Sequence, residues 1–185
     1  MTPTPPNDFL IMAPVIDIVI EAPGWEAAAL QNWAEAALDG VLAELDLPQR
    51  PYEVVCLACD DARIATLNAD FRGKPHPTNV LSWPSEQRAA PVAGALPAPP
   101  RIDALGDIAL ALETVTTEAQ DRGITLQAHA THLLVHGILH LLGFDHVNDK
   151  DAAVMEGLES RILAKQGFAD PYSDEAVPNA APSER

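Results

Sequence analysis

Basic residues are scarce in this chain. Lysine and arginine together number 11 of 185 residues against 27 acids, for a formal charge of −16. A chain of that sign offers little general attraction to a polyanion. Cysteine is scarcer still, with only Cys56 and Cys59 in the run YEVVCLACDD, which excludes a disulfide framework or a cysteine-rich metal site. The run reads as a strand, where residues three apart face opposite sides, so both thiols are expected to be core packing rather than a redox pair. No apolar run reaches membrane-spanning length. The N-terminus has neither a basic region nor a clean cleavage site for a secretory signal, so a cytoplasmic location without membrane contact is expected.

The scarce positive charge is unevenly spread. Residues 61–101 hold Arg63, Arg72, Lys74, Arg88 and Arg101 against Asp61, Asp70 and Glu86, which makes that segment net +2 while the remainder carries −18. A local basic patch on an acidic body can still attract an anion at short range.

The patterning predicts a single domain over 1–185, with its core at about 14–172. VIDIVI at 15–20 is an alternating, β-branched strand. Residues 25–45 repeat apolar side chains at three and four, as an amphipathic helix does, and Pro48 and Pro51 end that element. A second strand spans 52–59, and Asp60 or Asp61 caps a short helix running to about Asn68. FRGKPHPTNVLSWP then reads as a loop leading into a strand at 79–83. The Pro- and Ala-rich stretch 85–104 reads as an irregular surface excursion, and 105–112 as a further strand. Helices are expected at about 114–122, 126–142 and 149–166, with a frayed polar tail over 173–185 that begins around DPYS. The fold class is α/β (α+β): one small mixed sheet of about four strands covered by about five helices.

Five of the six histidines fall within eighteen residues, in AHATHLLVHGILHLLGFDH. His136 and His140 stand one helical turn apart on one face. Gly143 then stops the helix and lets His146 return over the same face. Three imidazoles with one open corner is the arrangement of catalytic zinc, whereas structural zinc takes four protein ligands. One Zn2+ per chain at His136, His140 and His146 is the expected cofactor. The remaining helix residues are nearly all apolar, and unpartnered histidines buried among them would be costly. His132 is an alternative partner for His136, but a straight helix separates His132 from His140 by about 12 Å, too far to share an ion. His132 is read as supporting the ligands or facing substrate, and His129 as surface or packing. Zinc peptidases of the H-E-x-x-H type carry a general-base Glu beside the first histidine. Here that position is Gly137.

HGILHLLGFDH, LNADFRGKPHPTNVLSWP and LGDIAL together resemble the YbeY-type endoribonucleases (UPF0054), bacterial rRNA maturation factors, in order from about residue 15 to Tyr172. The resemblance implies a zinc-dependent, single-strand-directed endoribonuclease. Such an enzyme would act in 16S rRNA 3′-end maturation and ribosome quality control, with rRNA in the small ribosomal subunit as partner and no DNA. It assigns the metal to His136, His140 and His146 and importance to Arg72. Arg72 presents a planar fork suited to a phosphate and to charge developing on a phosphodiester. Lys74, His76 and His132 are the other candidate substrate contacts, and Arg72 and His136 the candidate catalytic residues. Asp107 and Asp145 are candidates for capping or for backing a ligand histidine, with a buried polar structural role the favoured alternative for both. The attacking group is left as a metal-activated water or an RNA 2′-hydroxyl, with no evident general base. The alternatives are a zinc peptidase or amide hydrolase, and a non-catalytic ribosome assembly factor with a structural zinc.

Overall fold

The computed structural model describes residues 13–173. The expected tail over 173–185 lies outside them apart from Ser173. Its elements run β1 (Val15–Ile20), α1 (Ala27–Glu44), β2 (Glu53–Cys59), α2 (Asp61–Arg72), β3 (Val80–Pro84), β4 (Ala104–Ala111), α3 (Leu112–Asp121), α4 (Leu126–Leu141) and α5 (Asp149–Lys165). The sheet has the order β1-β2-β4-β3. Its first three strands are parallel, and β3 pairs antiparallel with β4. Pro84 ends β3 at the sheet edge, where a missing N–H costs no ladder bond. The expected α/β class is the one found, with four strands and five helices among the described residues.

Alternation along the inner strands sorts side chains between two cores. Val54, Cys56, Ala58, Ile108 and Leu110 join the large core with α1, α4 and α5. Cys59, Ala109 and Ala111 face a smaller core closed by Ile64 and Leu81. The two cysteines thus lie on opposite faces, both fully buried, and burial pushes their thiols up to about 12 and about 11. Helix α4 is central, packing against α1, α3, α5, β3 and β4. No described helix is long and apolar enough to cross a membrane.

Three sequence expectations are corrected. Helix α2 does not stop near Asn68. It continues through Arg72 and is capped by Gly73 in the left-handed region at φ 66°, because no residue before Gly73 breaks it. Arg72 therefore rides on a helix terminus rather than in the loop. The 85–104 segment is irregular, but it is not all surface. Arg88 is buried, and its guanidinium donates to the Leu141 carbonyl at the end of α4 and to Glu86. The DPYS segment is tied down rather than frayed, since Asp170 Oδ1 accepts from Ser160 Oγ and from the Tyr172 N–H.

Candidate metal centre

Helix α4 starts at Thr125, whose hydroxyl accepts the Ala128 N–H. It ends in a Schellman turn: the Phe144 N–H reaches Leu139 O and the Gly143 N–H reaches His140 O, satisfying carbonyls that a helix end otherwise leaves open. Gly143 has φ 94°, and a Cβ there would stand 2.9 Å from the Arg88 backbone. Both conformation and space therefore demand glycine, and the turn it makes swings the chain back over α4.

His136, His140 and His146 converge as a result, each offering one ligand atom within 4.8 Å of the others. Ring centroids are 4.5 Å apart for His136–His140, 5.3 Å for His136–His146 and 5.1 Å for His140–His146. The donor chemistry tests whether a cation fits. His136 Nδ1 lies 2.8 Å from Glu159 Oε1, and His140 Nδ1 lies 3.0 Å from the Phe144 carbonyl. Both oxygens accept, so each Nδ1 carries a hydrogen, and a neutral ring then keeps its lone pair on Nε2. Those two Nε2 atoms face each other at 3.0 Å. Burial, with His136 and His146 alongside, lowers His140 to about 4, so it stays neutral at pH 7. Two neutral imidazoles in these tautomers would set lone pair against lone pair, which a cation between them, metal ion or proton, relieves. The set fits a metal ion.

Glu159 on α5 is fully buried. Burial alone would raise its carboxyl, but hydrogen bonds from His132, His136 and Tyr172 hold it at about 2. Its Oε1 receives His136 Nδ1–H, while Oε2 receives His132 Nε2–H at 2.7 Å and the Tyr172 hydroxyl. A carboxylate behind a ligand imidazole fixes tautomer and ring orientation together.

The histidines open into a cleft of about 520 Å³ that Arg72 and Arg122 also line, with Asp145 the one carboxylate among its lining residues. Arg72 is exposed. Lys74 and His76 are exposed too but do not line this cleft. His132 lines it with Nε2 already engaged. His129 is buried with Nε2 2.6 Å from Glu118, as the packing reading expects. Asp107 backs no histidine: it stands exposed on β4 opposite Val55 and Trp83, on the strand face opposite Ile108 and Leu110. Asp145 accepts the His146 N–H at 2.7 Å and does not touch a ligand ring. Gly137 lies against Ile108, whose Cδ1 would be 3.0 Å from an added Cβ. A glutamate at this position would meet the sheet rather than the cleft.

The family model described as Endoribonuclease YbeY matches residues 19–167. The chain belongs to the YbeY family. It is 56% identical over 158 residues to Endoribonuclease YbeY of Jannaschia sp. (strain CCS1), covering 85% of this chain and 99% of that protein. It is 53% identical over 182 residues to that of Dinoroseobacter shibae, covering 96% and 100%. The solution structure of TM1509 from Thermotoga maritima superposes with a TM-score of 0.52 at 22% identity, over 86% of this chain and 99% of that one, a likeness of fold.

Within this YbeY-family site, sequence reasoning missed Glu159, Tyr172 and Arg88. Glu159 sits in MEGLESRIL among apolar positions that alternate at helical spacing. An acid on the buried face of an amphipathic helix is the one signal that could have singled it out.

Proposed function

We propose that this chain is a single-strand-specific, metal-dependent endoribonuclease acting in 16S rRNA 3′-end maturation, on rRNA of the small ribosomal subunit, in the cytoplasm. One Zn2+ held by His136, His140 and His146 is the proposed cofactor. The observation that carries the reading is the pair of Nε2 atoms at 3.0 Å, each on a ring anchored through its Nδ1, opening with His146 onto a cleft. The family membership supplies the reaction class.

Bound there, a zinc ion supplies Lewis acidity toward a phosphodiester oxygen and acidity toward a water. The chain's own residues do the rest. Nε2 of His136 and of His140 and a ring nitrogen of His146 hold the metal, and the Glu159 carboxylate and Phe144 carbonyl keep the first two rings in the ligating tautomer. Arg72, free of any ion pair among the described residues, places its guanidinium where a phosphodiester gains charge under attack. Asp145 has one oxygen on the His146 N–H and the other without a hydrogen bond among the described residues. It is the cleft's available proton acceptor, whether the attacking group is water or the 2′-hydroxyl. Glu159 is unsuited to that task, because both its oxygens are engaged and no part of it meets solvent. Lys74, His76 and His132 remain proposed substrate contacts, the first two toward phosphates beyond the cleft.

The peptidase alternative is not favoured, because Gly137 holds the position where such enzymes need a base. The test is cleavage of single-stranded RNA by purified, metal-loaded protein, with 16S rRNA 3′-end mapping in a deletion strain complemented by the parent or by Arg72→Ala. Precursor 3′ ends that persist with Arg72→Ala and mature with the parent support the reading. Correct maturation by the Arg72 variant would remove it.

A further inference from the structure

Tyr172 is the residue that the metal and its ligands leave unexplained. Aromatic residues make up only 5% of the chain, yet this residue is 43% exposed in the wall of the cleft. Its hydroxyl is committed to Glu159, a carboxylate with no solvent exposure. Its neighbour His132 packs against it edge to face, with centroids 5.7 Å apart at 86°. His132 Nε2 is spent on the same carboxylate and its Nδ1 is buried without a partner. Neither residue thus offers a free polar atom to whatever enters. What they present is a rigid aromatic wall, held by one buried carboxylate that also holds metal ligand His136. Its distance from the centre is short: one further ring-to-ring step of 6.4 Å separates His132 from His136. Arg122 lines the cleft with Tyr172 and forms no ion pair among the described residues.

A fixed π-face beside a cation, opening onto a site for phosphodiester chemistry, matches one ligand chemistry better than others. Bases released from a duplex stack on aromatic side chains regardless of sequence, while the backbone needs positive charge. We propose that Tyr172 is a stacking platform for an unpaired nucleobase next to the scissile phosphate, with Arg122 at the adjoining phosphate. The inference rests on the endoribonuclease reading and deepens it. A paired base keeps both faces inside its own stack and cannot use this wall, so the platform gives a physical basis for preferring single strands.

The test is steady-state cleavage of a short single-stranded RNA, beside a series of the same strand lacking one base at each position in turn. Stacking on one residue is worth about 5- to 150-fold in affinity. Tyr172→Ala is expected to raise KM within that range, with kcat changing far less and metal content unchanged. Tyr172→Leu keeps apolar bulk without a π-face and should lose nearly as much. Tyr172→Phe keeps the ring and should lose less than either. One abasic position should reproduce the loss in the parent, and Tyr172→Ala should add nothing to it there. A KM unmoved in both the Ala and Leu variants, with unfolding temperatures like the parent's, overturns the platform alone. Equal losses on every abasic strand in the Tyr172→Ala protein overturn it as well. If the metal-loaded parent cleaves no RNA, the platform and the endoribonuclease reading fall together.

Discussion

The two walls of the cleft are built on opposite plans. On the α4–α5 side the ligand rings are held from behind: His136 has Glu159, His140 has the Phe144 carbonyl, and the turn is closed by Arg88 on Leu141. On the α2 side, Arg72 stands exposed at a helix end, with Lys74 in the loop just outside the cleft, neither with an ion pair among the described residues. The difference separates holding from following. Metal ligands must meet one ion in one geometry, so burial and hydrogen bonds fix them in advance. A phosphate contact must track a flexible strand, and a solvated guanidinium does so at little cost to the fold.

The sharpest way to break the comparison is to remove a ligand. His140→Ala is expected to take metal content from about one per chain to background and cleavage with it, as elemental analysis and an RNA assay would read together. Next is Arg72→Ala, with cleavage down by about 10²–10³ and unfolding free energy within about 0.5 kcal/mol of the parent, since the site is exposed. Loss of metal in that variant would show that the walls are not independent. Glu159→Gln keeps a side chain of the same shape but removes the charge behind His136. Metal affinity by chelator competition should fall about 10- to 100-fold. Gly143→Ala forces a Cβ onto the Arg88 backbone at a positive φ and should destabilise by about 1–3 kcal/mol, read as a lower denaturant midpoint. The smallest effect is expected far from both walls. With thiols pushed up to about 12 and about 11, Cys56 and Cys59 should resist a thiol reagent at pH 8 until the protein unfolds.

Much of the fixed wall was legible as sequence, because its cause is local. The four-residue step from His136 to His140 and the glycine before FDH are short-range facts, and helix geometry converts them directly into position. The boundaries of α3, α4 and α5 came within two residues for the same reason. The α2 terminus lies beyond the expected Asn68 because the stop is Gly73 in the left-handed region and nothing before it breaks the helix. Glu159, Tyr172 and Arg88 were illegible for a different cause. The partners that tie them to the metal helix or to each other lie 13 to 53 positions away, and a single glutamate in a helix looks the same from sequence whether it meets water or an imidazole.

By itself the sequence determined that three imidazoles could meet, since periodicity and a left-handed glycine are properties of the chain within a few residues. Only the tertiary structure decided which nitrogens face one another. That choice belongs to α5 and to the carbonyl of the returning turn, which packing on α4 brings to the two Nδ1 atoms. Hydrogen bonds between distant segments have no signature in either segment alone.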